Sequence, residues 1–326
     1  MKATPPKLQR LAASLFEDDA EQQAFADAVL KCQPYKPALV WLRDRPVEAS
    51  FKLEDPQPWQ PEFVDRLRRD QRPGQDPMHD EGAYYCMTFS SVFEGCVFGV
   101  VPSRPELVVD LCAAPGGKSV MAWRTLRPHR LVANEVIRKR TAQLVANFRR
   151  CDIAPATVTS LDTAVLAERV GAAADLVIVD APCSGQSLIA KGKHVSAAFH
   201  SHVINHNRNR QRRILGNAAR MVKPGGWLAY ITCTYAEKEN EGNVKWFRDR
   251  FPEFESVSVP ALTGFQSHLA DFPCYRMWPQ HGLGAGGFAA LLQRNDDGEP
   301  APFDAMCLDP VWRSEGREKD YDQEQT

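Results

Sequence analysis

From about residue 105 onward, short apolar runs alternate with longer amphipathic stretches, the texture of strand–helix–strand units. Residues 107–111, 131–135, 157–159, 176–180 and 227–231 read as strands. Residues 118–127, 138–150, 161–170 and about 203–221 read as helices between them. Later runs at 254–259 and 287–292 supply sheet edges. The pattern predicts an α/β, Rossmann-like sheet of about seven mostly parallel strands with helices on both faces. The first 75 residues differ: 12–30 has helical spacing, then come Pro34, Pro37, Pro46, Pro56, Pro58 and Pro61. They are set apart as a mostly helical N-terminal region, with 76–296 as the principal domain. After 295 the chain carries Gly, Pro and charge without periodicity, so 297–326 is expected to be a flexible acidic tail.

At 326 residues and 44 % hydrophobic content, the chain has enough apolar material for a large core, and disorder throughout is excluded. Its formal net charge is −1, which on average speaks against a phosphate-rich partner. The average conceals a division. Residues 295–326 hold ten acids and three bases, a net of −7, so the preceding chain carries +6. Its bases cluster at Arg66, Arg68, Arg69 and Arg72; at Arg138, Lys139, Arg140, Arg149 and Arg150; and at Arg208, Arg210, Arg212 and Arg213. Nine cysteines without a CxxC pair fit reduced thiols better than a zinc ribbon or a secreted disulfide framework. His200, His202 and His206 find no acid or cysteine to complete a metal set. No window approaches the roughly 18 apolar residues of a membrane span. A soluble, cytoplasmic, metal-free monomer is the expectation.

The first strand runs into Asp110-Leu111-Cys112-Ala113-Ala114-Pro115-Gly116-Gly117-Lys118-Ser119, and a helix follows. A glycine turn before a helix N-terminus lets backbone approach a ligand at the carboxyl edge of such a sheet. Glu135, at the end of the second strand, stands where an acid bonds ribose hydroxyls. Loop and acid together leave a dinucleotide and S-adenosylmethionine both open, although the G-x-G-x-x-G of the former is missing. Cys183 and Cys233 follow the fourth and fifth strands, so the topology brings both to that edge. Two cysteines there could divide the work of covalent catalysis, one attacking as a thiolate and the other helping the adduct to release. Position alone leaves open which cysteine attacks.

Asp110–Ser119 resembles motif I of the Nop/Sun (RsmB/RsmF-like) family of RNA cytosine-C5 methyltransferases, a class I S-adenosylmethionine-dependent group. Asp180-Ala181-Pro182-Cys183-Ser184-Gly185 resembles its motif IV, and Thr232-Cys233-Thr234 with Glu239-Asn240-Glu241 its motif VI. Weaker likenesses at Gln211, at Lys223-Pro224-Gly225-Gly226 and at Gly286-Gly287-Phe288 extend the match to roughly residues 84–294. The resemblance implies that Cys112, Ala113, Ala114, Pro115, Gly116, Gly117 and Lys118 cradle the methionine part of the cofactor. Glu135 would then hold its ribose and Asp162 its adenine edge. The resemblance also implies Cys233 as nucleophile, Cys183 as the residue aiding release, and Asp180 near ring nitrogen 3 of the base and beside the cofactor.

The substrate implied is RNA, ribosomal rather than transfer RNA by family analogy. A transfer-RNA enzyme and a non-catalytic RNA-binding assembly factor are the competing readings. Amino-group methylation is disfavoured because no aromatic follows Pro182, and the motif I and VI residues favour the RNA group over DNA cytosine-C5 enzymes, whose nucleophile occupies a Pro-Cys like 182–183. The chain departs from the family where a Gln-acid pair precedes motif I, since 84–91 reads Tyr-Tyr-Cys-Met-Thr-Phe-Ser-Ser. It departs again after motif IV, where Ser187 and Lys191 stand near a usual Gly and Arg. Tyr84, Tyr85, Phe89 and Trp246 are candidates to stack a splayed base.

Overall fold

The computed structural model describes residues 4–31, 37–46, 51–193, 195 and 197–316. The chain opens with α1 (Pro6–Leu15) and α2 (Asp19–Leu30). The single helix expected over 12–30 is therefore broken. Phe16 takes an extended conformation, and the Asp18 carboxylate accepts the Glu21 backbone N–H at 2.9 Å, starting a new helix with an N-cap. Strands β1 (Pro37–Trp41) and β2 (Val64–Arg66) follow, then α3 (Pro77–Asp80), β3 (Tyr84–Thr88) and α4 (Phe89–Gly95).

β1 lies between β2 and β3, antiparallel to both. The small sheet thus crosses the boundary expected at 75/76. β1 and β2 are only five and three residues long, too short to show a period of their own.

The large sheet begins with β4 (Val108–Asp110), α5 (Gly117–Leu126), β5 (Leu131–Asn134), α6 (Arg138–Arg150) and β6 (Ala156–Thr159). It continues with α7 (Thr163–Val170), β7 (Ala174–Asp180), the short α8 (Ser187–Ala190), α9 (Ser201–Ala219) and β8 (Val222–Thr232). Then come α10 (Glu241–Arg250), β9 (Phe254–Ser256), β10 (Tyr275–Met277), β11 (Gly287–Arg294) and β12 (Pro310–Ser314).

The nine strands run in the order β10-β11-β8-β7-β4-β5-β6-β12, with β9 also on β11. The five central strands are parallel, and β11 and β12 join their outer edges antiparallel. Side chains alternate between two cores. Leu176 and Ile178 of β7 enter one face, and Val177 and Val179 the other. This explains the unbroken apolar runs: a strand buried on both faces has no polar side to show.

Two expectations are corrected at the ends. Residues 297–316 are not a loose tail, because β12 pairs with β6 and Trp312 packs against the first core. Residues 317–326 lie outside the described part. Nor is the N-terminal helical pair a separate unit. Leu8, Phe16, Phe25 and Val29 form a third core with Tyr235 and Trp278, and the Phe25 ring meets those two edge-on at 5.1 and 5.9 Å. Phe25→Ala should therefore cost about 3–5 kcal/mol, read as a lower urea midpoint of the main unfolding transition. A separate appendage would leave that transition in place.

Candidate functional site

The chain runs outward from β4 to β5 and β6, then returns to β7 on β4's other side. The crevice of such a sheet opens at this reversal, beyond the carboxyl ends of the strands. Asp110 ends β4 fully buried. Its carboxylate accepts the Ser119 hydroxyl at 2.6 Å and the Cys112 backbone N–H at 3.3 Å, pinning the loop to the helix that follows. Gly116 sits at φ +116°, where a Cβ would press Leu144 and Phe148 at 3.1 and 3.3 Å, so only glycine makes this turn without strain. α5 then presents its first backbone N–H groups, which have no partner within the helix, toward the crevice.

Glu135 follows β5 with its side chain buried. One oxygen accepts the Ile137 N–H at 2.9 Å and the other the Arg140 guanidinium at 2.7 Å. Arg140 also reaches the Ala114 carbonyl, closing the acid over the loop. Asp162 lies at the same edge but is exposed, and its carboxylate caps α7 through the Ala164 N–H at 2.8 Å. Sequence reasoning passed over Asn134, the last residue of β5. Its amide binds Leu161 on both polar sides and accepts the Thr159 hydroxyl, so one buried side chain fastens the loops after β5 and β6.

Cys183 and Cys233 come together. The parallel register sets Asp180 beside Ile231, so the loops leaving β7 and β8 start level, and the two sulfurs stand 3.2 Å apart. Sharing a proton polarises the pair. The hydrogen bond with Cys183 lowers the Cys233 thiol, while that bond, then burial, raises Cys183. Asp180, ending β7 with its side chain 36 % exposed, lies 3.6 Å from the Lys118 ammonium. Burial opposes the charge on Lys118, but Asp180 and Glu94 together push that group up.

Beneath the sulfurs the Glu239-Asn240-Glu241 stretch is scaffolding. Glu239 accepts the Ser184 N–H at 3.0 Å and the Gln211 amide at 2.8 Å, and Gln211 also donates to the Pro182 carbonyl. Asn240 joins the Thr232 hydroxyl to the Thr234 carbonyl. Glu241 meets the buried Arg276 through both oxygens, and Arg276 holds the Tyr235 carbonyl at 2.9 Å.

Residues 98–293 match the family described as 16S rRNA methyltransferase RsmB/F. The chain belongs to that family. Ribosomal RNA small subunit methyltransferase F of Cronobacter sakazakii is 30 % identical over 253 residues, covering 76 % of this chain and 53 % of that protein. The chain thus spans about half the length of the curated relatives it matches. The crystal structure of PH0851 superposes with a TM-score of 0.79 at 26 % identity, covering 89 % of this chain and 66 % of that one. A methyltransferase homolog from Pyrococcus horikoshii gives 0.69 at 20 % identity over 89 % and 99 %, a likeness of fold.

Against the expectations for this RsmB/F-family chain, the aromatic candidates fail. Tyr84 is buried against Trp41 and Phe51, Phe89 lies on Trp59, Tyr85 is buried, and Trp246 lies beneath the Arg212 guanidinium. Each basic cluster likewise spends a member internally: Arg66 on Glu54, Arg150 on the His79 and Tyr84 carbonyls, and Arg212 on Asn243. Arg68, Arg138, Lys139 and Arg213 remain exposed. Of the other cysteines, Cys96, Cys151 and Cys274 are buried, Cys307 is exposed, and Cys32 lies outside the described residues. Among the described residues no group of His, Cys, Asp and Glu is arranged to hold a metal ion, and no helix is long and apolar enough to cross a membrane.

Burial, ahead of every other influence, pushes Asp110 up to about 7 from an ordinary 3.8. A folded-state value above the unfolded one means the native chain holds a proton that the unfolded chain releases, so this group's contribution to stability is present at low pH and lost as pH rises from about 4 to 7. Asp110→Asn removes the titration. Relative to wild type, its unfolding free energy should gain about 2 kcal/mol between pH 5 and pH 7.5, checked by denaturant melts at both values.

Proposed function

We propose that the chain is an S-adenosylmethionine-dependent RNA cytosine-C5 methyltransferase acting on ribosomal RNA. The observation that carries the reading is the pair of sulfurs 3.2 Å apart at the crevice, with the Cys233 thiol lowered by its neighbour. The RsmB/F family match and the name of the Cronobacter relative support the ribosomal substrate.

The residues that would hold the cofactor fit it. The loop from Cys112 to Lys118, turned at Gly116, leaves backbone N–H groups for a carboxylate, and the buried Glu135 keeps lone pairs for ribose hydroxyls. Asp162, one of whose oxygens caps α7, would meet the adenine edge. When bound, S-adenosylmethionine supplies an electrophilic methyl group.

The chain's own residues supply the rest. Cys233, as thiolate, adds to carbon 6 of cytosine and breaks the 5,6 double bond. Asp180, at the open edge, offers a proton to ring nitrogen 3 and so accepts the charge that the addition drives into the ring. Carbon 5 is then electron-rich enough to be alkylated. Asp180 recovers the proton from ring nitrogen 3 as the methyl group is transferred; a solvent base at the open crevice then takes the carbon 5 proton, and its electron pair restores the 5,6 double bond and expels Cys233 as a thiolate. Cys183, in contact with the departing sulfur, can return a proton to it and so favours release. The raised Cys183 thiol suits a donor, and the lowered Cys233 thiol suits a nucleophile.

Cys233→Ala should reduce methyl transfer to background. Cys183→Ala should leave protein covalently joined to RNA, visible as a slower band on a denaturing gel; the reverse pattern would exchange the two roles. Bisulfite sequencing of RNA from a deletion strain should reveal one unmethylated cytosine in small-subunit ribosomal RNA. Its appearance in transfer RNA would redirect the substrate, and cofactor binding without transfer to any RNA would favour an assembly factor.

A further inference from the structure

Glu94 takes no part in the chemistry above, yet it is one of the most deeply buried acids in the molecule, 3 % exposed on α4. Its Oε2 accepts from the Lys118 ammonium at 2.6 Å, a full ångström closer than Lys118 comes to Asp180. One ammonium therefore stands between an interior carboxylate and a carboxylate open to the crevice. Room for the interior one is reserved by the backbone. A Cβ at Gly287, the first residue of β11, would fall 1.9 Å from Glu94 Oε1. Glycine weakens a strand, and a buried ion pair is seldom the stable way to fill a core position. Both features are what a site would keep for function.

The arrangement has an electrostatic consequence. Left with Asp180 alone, Lys118 would close on it and stabilise the ionised form, which cannot donate to a base. Glu94 draws the ammonium the other way. We propose that Glu94 is a positioning residue for the methylation: by taking one side of Lys118 it holds the ammonium back from Asp180, so that Asp180 can bear the proton used at ring nitrogen 3.

The inference rests on the reading in the previous subsection for its catalytic half, and on geometry alone for its electrostatic half. The charged and titratable groups facing Glu94 are Lys118 of α5, Asp180 of β7, Lys191 beyond α8 and Cys233 beyond β8. Burial pushes Glu94 up to about 7, so its hold on Lys118 loosens as pH falls through neutrality. Glu94 reaches the site from α4 through its contact with Lys118.

The test uses the whole protein with Glu94→Gln, which keeps size and removes charge. Methyl transfer should lose about tenfold or more in kcat while KM for RNA stays within about threefold. The alkaline limb of the kcat profile should move to lower pH by roughly half a unit or more. Glu94→Asp should restore the position of that limb. Gly287→Ala, which pushes the carboxylate off Lys118, should reproduce the Gln signature and carries the test if Glu94→Gln does not fold.

A second readout needs no RNA. Because the Glu94 charge raises Cys233, alkylation of Cys233 by iodoacetamide, followed by peptide mass spectrometry, should reach half-maximal rate at lower pH in Glu94→Gln. An unmoved alkylation midpoint overturns the inference whether or not RNA is methylated. So does a kcat profile of unchanged shape, including a uniform loss that merely follows a lower melting temperature. A wild-type protein whose alkylation responds as expected but which methylates no RNA overturns the functional reading and leaves the positioning of Lys118 standing.

Discussion

Two loops that leave neighbouring strands must hold their sulfurs in contact, and neither loop can do so by itself. The constraint is met from below, by a polar network shut away from water. Glu239 grips the loop after β7 through Ser184 and Gln211, while Asn240 grips the loop after β8 on both sides of Cys233. Adjacent residues of one short segment therefore hold the two halves of the reactive pair. Gln211 and Asn243 extend the network into α9 and α10, and Tyr230 reaches it from within β8. In a low-dielectric interior the bonds of such a network strengthen one another. The separation of the sulfurs is thus a property of the whole assembly.

Much of this was legible in the chain. The five central strands and the helices expected at 138–150 and about 203–221, the latter found at Ser201–Ala219, followed from periodicity, because two-sided burial writes long apolar runs that tertiary context does not overrule. Loop, acid and both cysteines were placed at the correct edge by topology alone. What escaped were residues whose meaning depends on a distant partner. Glu94 is a single acid in the run Val92-Phe93-Glu94-Gly95-Cys96, and its isolation among apolar neighbours was the available signal. Asn134 and Arg276 are likewise lone polar residues within buried strands. The aromatic candidates misled for the opposite reason: a Tyr or Phe beside a motif is equally at home in the core, and only burial tells the two apart.

The carboxyl edge also concentrates cost. Asp110, Glu94, Glu135, Glu239 and Glu241 are all buried around it, with few cations to match. Each is held by donors, yet taking a carboxylate from water is expensive even when it is paired. The apolar cores on either face of the sheet must offset this, and the apolar stretches 176–179 of β7 and 228–231 of β8 contribute to both.

At the opposite margin of the sheet, β12 has a bearing on how copies of this chain behave toward one another. Without it β6 would be an outer strand, with a row of unanswered N–H and C=O groups of the kind that recruits strands from other molecules. β12 closes that row, bends at an irregularity between Pro310 and Trp312, and carries Pro310 and Arg313 to the new margin. Proline and charge are poor templates for a further strand. The segment that looked like a charged afterthought thus serves as a selvedge, finishing the sheet so that it does not unravel into its neighbours.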